Sequence, residues 1–170
     1  MDTALFKART DTVLGRAPLS HRSYEIITLP TDQAEKLDSI HFRLGLKRVL
    51  VQCFPEQFCP PDATHQLEQV VGGDVDTIYV AYDPTNHEYV GAGMLQLKSF
   101  NKTGVVWTRA HVHWLAVRQS YRRAGIGKAL VAHMAARAKQ LDHHYIFAYS
   151  NTVTPGIRRF SAALGFREIT

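Results

Sequence analysis

The chain has 170 residues and a mass of 19.2 kDa, enough for one domain with its own core and too short for two of about 100–200 residues each. Hydrophobic residues make up 45% of it and charged ones 21%, which excludes a disordered chain and a small scaffold that needs staples. Lys and Arg outnumber Asp and Glu by 20 to 15, a net charge of +5. Anionic partners are favoured, and nucleic acid, a membrane surface and a phosphorylated cofactor all stay open.

In chain order, residues 1–23 carry Lys7, Arg9, Arg16 and Arg22 against Asp2 and Asp11. The acidic residues argue against a transit peptide, and the segment reads as a loosely ordered lead-in to one domain over 24–170. A first strand is expected over Tyr24–Leu29, stopped by Pro30. The helix after it would be capped by Thr31 or Asp32, with Ala34, Leu37, Ile40, His41 and Leu44 on one face. Leu46–Phe54 reads as a second short helix ended by Pro55. Cys53 and Cys59 follow the spacing of neither a redox nor a zinc site, so reduced thiols in a cytoplasmic protein are expected. Pro60 and Pro61 demand irregular chain, and Ala63–Val71 reads as one more short helix closed by Gly72-Gly73.

From Asp76 the apolar period changes from helical to strand-like. Strands are expected over Thr77–Tyr82, Tyr89–Phe100 and Val105–Val117, with turns at 83–86 and 101–104, an antiparallel meander. A loop over 118–124 then opens a helix from about Gly125 to Leu141, with Leu130, Met134 and Ala138 on a stripe. A strand over Tyr145–Tyr149, a helix over Gly156–Leu164 and a last strand over Phe166–Ile169 complete a mixed α/β architecture with helices on the sheet faces. No apolar run approaches the ~18 residues of a membrane span, so a soluble protein without a membrane partner is expected.

The segment from His113 to Leu130 carries the chemistry. A strand enters a glycine-containing loop that opens a helix, and a helix start offers unpaired N–H groups and a positive dipole end to an anion. Arg118, Arg122, Arg123, Lys128, Arg137 and Lys139 bring +6 to this stretch with no acid, which reads as a cradle for a polyphosphate ligand. The spacing fits neither a Walker loop nor a dinucleotide fingerprint. It is Arg122-x-x-Gly125-x-Gly127, after Leu115-Ala116-Val117 and before an amphipathic helix.

That arrangement, with Tyr121 before Arg122 and the later run Phe160-Ser161-Ala162-Ala163-Leu164-Gly165-Phe166, resembles the acyl-CoA signature of the GNAT superfamily of N-acyltransferases. The likeness is clear from about His111 to Thr170 and architectural over 24–108. It implies a GNAT fold: a mixed, mostly antiparallel central sheet with helices on both faces and splayed fourth and fifth strands. It also implies acetyl-CoA as co-substrate, without a metal. Acyl-pantetheine would lie along Leu115, Ala116 and Val117, with the Val117 N–H polarising the thioester carbonyl. The diphosphate would sit on Arg122, Arg123, Ala124, Gly125, Ile126, Gly127 and Lys128. Contacts from Asn151 are expected in place of the family's asparagine, whose own position holds Thr154.

The acetyl group would pass by direct attack of a primary amine, on a small molecule or a peptide, and the resemblance places the base at His113 or His111. Both are odd-numbered and would share a face with Arg109, Leu115 and Val117. A histidine is suited to the task near neutral pH. The alternative for each is a hydrogen-bonded structural histidine; a His-x-His metal pair lacks further ligands nearby. Ser161 stands where the family often has a tyrosine acid, so the serine hydroxyl would assist the departing thiol. Phe54, Phe58, Trp107 and Tyr82 are candidate walls for the acceptor. The resemblance is compatible with a homodimer. Two other readings stand beside it, a non-catalytic CoA-binding sensor and a basic nucleic-acid module. Against the module, the charges gather at one helix start with no reader motif, so no nucleic acid is expected.

Overall fold

The computed structural model describes residues 3–19, 23–31, 40–59 and 62–169. Its strands are β1 (Ala4–Arg9), β2 (Glu25–Pro30), β3 (Val75–Asp83), β4 (Glu88–Lys102), β5 (Val105–Val117), β6 (Tyr145–Ser150) and β7 (Arg167–Ile169). The helices are α1 (Thr10–Arg16), α2 (Lys47–Cys53), α3 (Ala63–Val71), α4 (Ile126–Gln140) and α5 (Pro155–Ala163). All seven strands share one sheet in the order β2-β3-β4-β5-β6-β1-β7, antiparallel except for the parallel pair β5–β6.

Alternation along the strands divides the core into two clusters, one on each face of the sheet. One face packs on α4, where Leu130, Met134 and Ala138 are fully buried, together with Val13 and Ala17 from α1 and its end and Leu164 from the end of α5. The other packs on α2 and α3 through Leu46, Leu50, Phe58 and Leu67. Glycines let α4 lie close to β4: a Cβ at Gly91 would stand 3.0 Å from Ile126, and one at Gly93 would collide with the Met134 methyl at 2.3 Å. That close approach fixes where the first turn of α4 meets the end of β5.

Two expectations are corrected. The lead-in is not loose over its described part, because Ala4, Phe6 and Ala8 alternate into the core and β1 pairs with β6 on one side and β7 on the other. The basic residues between them had masked a period-two pattern. The helix expected after Thr31 falls largely on 32–39, outside the described residues. Where the chain resumes, a π-type turn over His41–Leu46 runs straight into α2 and buries Phe42, Gly45 and Leu46, leaving Ile40 and Leu44 exposed. A ring at Tyr89 and a methyl at Val80 fill the space beside Gly45, so this residue sits inside the helical run instead of ending it. No helix among the described residues is long and apolar enough to cross a membrane.

Phe6 is 3% exposed, so Phe6→Ala should lower unfolding stability by about 3–5 kcal/mol in urea titrations, the usual cost of emptying an aromatic core site. A cost near zero would return the segment to a loose lead-in.

Candidate active site

β5 and β6 pair only over Ala110–Val112 and Ile146–Ala148. Beyond Val112 the ladder between them ends, and the C-terminal half of β5 has no paired strand on that side, which leaves a gap in the sheet. The register of β4 against β5 shows why. Ala92 faces Ala116 and Met94 faces His113, so Gly93 alone opposes both Trp114 and Leu115. This is a β-bulge, and Trp114 adopts φ +49 to make it; a bulge bends its strand and sharpens the local twist. The Trp114 ring is wedged against Phe54 and Phe58, with centroids 5.1 and 4.8 Å away.

The bulge overturns the expected common face. His113 and His111 lie opposite Met94 and Gln96 on the α2–α3 side, whereas Leu115 and Val117 pack into the α4 cluster. Counting odd residues fails once one extra residue is inserted. The main-chain expectation fares differently. The Arg118 N–H donates to the Val90 carbonyl at 2.9 Å, and alternation then turns the N–H and C=O of Val117 away from β4, into the gap. The Val117 carbonyl is taken by Arg122 Nε at 2.9 Å. Ala116, between them, is buried on the α2–α3 side.

The loop after β5 turns through a short 3-10 segment, Gln119–Tyr121, then through Arg123 at φ +66 and Gly125 at φ +84. Gly125 is the residue before α4, and no side chain caps the helix there. The first-turn amides of Ile126, Gly127 and Lys128 therefore have neither an intrahelical nor a side-chain acceptor, which is the state an anion would satisfy. Ile126 anchors the turn in the core, while Arg122, Arg123, Ala124 and Gly125 are exposed. Gly127 also has a packing role. A Cβ there would lie 3.2 Å from the Phe160 ring, so the missing side chain makes room for α5. Outside the loop, Glu88 holds it in place. Tyr121 donates its hydroxyl to Glu88 Oε2, and Arg118 stands 3.4 Å from the same oxygen. The Tyr121 bond, aided by Arg118, holds the Glu88 carboxyl below its ordinary range, and the same bond pushes the Tyr121 hydroxyl up against the pull of Arg118.

The +6 stretch is also less concentrated than the sequence suggested. Arg137 pairs with Asp76 at 2.8 Å and Lys139 with Asp11 at 2.7 Å, near the far end of α4, about 16 Å from Lys128 at 1.5 Å per residue. Arg122, Arg123 and Lys128 remain at the cradle without a carboxylate partner among the described residues. Cys53 lies beside the cradle, close to Arg122 and Arg118. Burial at the end of α2 pushes this thiol up, against the pull of the neighbouring Arg122 and Arg118.

His111 is 6% exposed, stacks on Phe147 at 5.5 Å, and its Nε2 is buried without a partner among the described residues. Gln96 Oε1, across the strand pair, and Trp114 Nε1 are buried and unpaired as well. Three such atoms on one side of one bulge are unusual, since each unmet buried group costs roughly 1–3 kcal/mol. Burial, with Lys98 and Arg109 nearby, pushes His111 down to about 4, and burial with Lys98 does the same for His113. Ser161 is 7% exposed on α5, which packs on the α4 side. The serine and the two histidines thus lie on opposite faces of the sheet. Asn151 is exposed in the turn after β6, and Thr154 caps α5 by accepting from the Ile157 N–H at 3.2 Å. No group of three or more metal-ligating side chains occurs among the described residues. Of the expected acceptor walls, Phe54 and Phe58 surround Trp114, while Trp107 stacks on Phe100 in the β4–β5 arm and Tyr82 bonds His87 elsewhere.

A family model described as "Acetyltransferase (GNAT) domain" matches residues 74–168, more than half of the chain. The chain belongs to the GNAT acetyltransferase family. No curated protein sequence matches it. Among solved structures, a tandem GNAT protein from the clavulanic acid biosynthesis pathway is 14% identical, with TM-score 0.66 over 98% of this chain and 50% of that one. The chain therefore spans about half the length of that relative. An aminoglycoside 6'-N-acetyltransferase, AAC(6')-Ih from Acinetobacter baumannii, is 19% identical with TM-score 0.61, covering 85% of this chain and 91% of that one. Glucosamine-6-phosphate N-acetyltransferase from Arabidopsis thaliana is 15% identical with TM-score 0.55, covering 84% and 90%. At these identities the likeness is one of fold. It accords with the mostly antiparallel sheet and the early end of the ladder between β5 and β6, the pair that the GNAT resemblance numbers fourth and fifth.

Both histidines are neutral when folded, whereas unfolded histidine titrates near ~6.5. Below that pH the unfolded chain binds protons first, so their contribution is intact above 6.5 and is lost as pH falls toward 4. The GNAT domain carrying His111→Gln should lose less stability than the unaltered chain between pH 6.5 and 4, measured by urea midpoints. Parallel curves for the two proteins would show that His111 is not held neutral by burial.

Proposed function

We propose that this GNAT protein transfers an acetyl group from acetyl-CoA to a primary amine by direct attack. The observation that carries the reading is the uncapped first turn of α4 beside a gap into which the Val117 N–H points. The residues fit the co-substrate. Amides of Ile126, Gly127 and Lys128, with Arg122 and Arg123, would hold a diphosphate. Leu115 and Val117 offer main-chain groups to pantetheine amides, and the Val117 N–H would stabilise charge growing on the thioester oxygen.

In the reaction the amine nitrogen forms a bond to the thioester carbon, the carbon–sulfur bond breaks, and CoA leaves as a thiolate. With a thiol pKa of ~8.5 that group departs without an obligatory acid, which suits a chain holding Ser161 where the family often has tyrosine. His113 accepts the proton released by the nitrogen. Burial keeps it neutral near pH 7 and so ready to accept, and the strongly acidic imidazolium that forms passes its proton on to water. His111 is the second candidate for this role. Two free cysteines, Cys53 and Cys59, support a cytoplasmic setting.

Arg122→Glu combined with Lys128→Glu should weaken acetyl-CoA binding by at least about a hundredfold in calorimetric titration, since charge reversal faces the phosphates directly. Unchanged affinity would remove the cradle and this reading with it. His113→Ala should lose on the order of 10²-fold in kcat while keeping acetyl-CoA affinity. A fully active variant would move the role to His111.

A further inference from the structure

The α2–α3 layer covers only part of its sheet face. The cluster buried beneath it draws on β2, β3, β4 and the end of β5, and it includes no residue of β6, β1 or β7. On the uncovered part, the register sets Gln96, His111, Phe147, Lys7 and Arg167 in one row across five strands. In the next row Lys98 faces Arg109. Cations lie over the rings where a helix would otherwise be. Lys7 Nζ is 4.0 Å from the Tyr145 centroid, and the Arg109 guanidinium is 4.8 Å from Phe100 and 5.0 Å from Phe147. No ion pair joins Lys7, Lys98, Arg109 or Arg167 to a carboxylate among the described residues. Beside Lys7 and Arg167 opens a cavity of about 610 Å³ to which Arg9 and Arg16 also contribute, and no carboxylate lines it. Asp11 lies near Arg9, but it is paired with Lys139.

Unpaired cations on one face create a field that selects the charge of what approaches. Two unmatched buried polar atoms lie at the other end of the row, Gln96 Oε1 and His111 Nε2, next to the gap. Resting on the acetyl-transfer reading, we propose that the acceptor is a small amine that also carries an anionic group, a carboxylate or a phosphate. Its nitrogen lies beside the half-buried His113, with Gln96 and His111 behind it, and its anion on Lys7 and Arg167. His113 to Lys7 is two strand spacings across and two residues along, so nitrogen and anion stand about 12 Å apart. A polycationic acceptor is repelled by the same field. The fold leaves this choice open, because it is shared by an enzyme named for an aminoglycoside and one named for glucosamine-6-phosphate; the charges on the row belong to this chain.

The test uses the full chain with acetyl-CoA and three amine series of matched length: ω-aminoalkyl phosphates, ω-amino carboxylates and α,ω-diamines, read by thiol release. The expected result is a kcat/KM at least about tenfold higher for one anionic series than for the diamines, greatest where nitrogen and anion are about 12 Å apart. Which anionic series leads tells phosphate from carboxylate. Lys7→Glu with Arg167→Glu should raise KM for the preferred amine at least about tenfold and leave acetyl-CoA affinity unchanged. Arg167→Glu alone, exposed at the sheet edge, keeps the question open to measurement if the double variant misfolds. Protein that binds acetyl-CoA but prefers diamines, or shows no preference or turnover in any series, overturns the proposal. So does tighter binding of a single-stranded oligonucleotide than of every amine. Protein that fails to bind acetyl-CoA overturns the acetyl-transfer reading itself, and with it this inference.

Discussion

Hydrogen bonding between β5 and β6 cannot continue past Val112 and Ala148 while Trp114 occupies a left-handed conformation and adds a residue opposite Gly93. A non-glycine residue held at positive φ costs about 1–3 kcal/mol and persists only where its surroundings demand it. Here Phe54 and Phe58 clasp the Trp114 ring, so packing under α2 maintains the strain. Three results follow from that one insertion. The ladder stops, the Val117 amide points into the opening, and the two histidines are thrown to the face opposite Leu115. A regular strand would have closed the sheet and left nothing between β5 and the first turn of α4.

The positions of the loop and helix around this opening depend on contacts that run between distant parts of the chain. Gly91 and Gly93 let α4 lie close on β4, and Glu88 takes up both Tyr121 and Arg118. The cradle is thus braced from the β3–β4 hairpin as well as by its own residues. The loop can present exposed amides without wandering, because the groups that fix it stand outside the surface it offers.

Much of this was legible in the sequence. The bounds of β5 and α3, the Asp83 turn and the stripe Leu130, Met134 and Ala138 follow from periodicity and turn chemistry acting locally, and the cradle from the order of strand, glycine and helix. What was not legible depends on partners far along the chain. Nothing in Ala4–Arg9 announces that it fits between β6 and β7, since two of its alternate positions are Lys7, which lies over the Tyr145 ring, and Arg9. The bulge depends on Gly93 across the strand pair, so parity counting gave the histidines the wrong face. Arg137 and Lys139 looked like part of the cradle until their carboxylates appeared from β3 and α1. Gly127 also serves Phe160, a neighbour from the next helix. In each case the local signal was read correctly for its own segment and failed where tertiary contact decided.

The place of β1 in the sheet bears on how the molecule assembles. Lys7 pairs with Phe147 and Arg167, so a strand near one end of the chain has no neighbour until segments near the other end have been synthesised. Contacts of such long sequence separation slow folding and leave unsatisfied strand edges exposed meanwhile. During synthesis on the ribosome this segment would emerge early and settle late. The alternating Lys7 and Arg9 would serve in that interval as a guard against premature association, because charged strand edges resist pairing with the wrong partner.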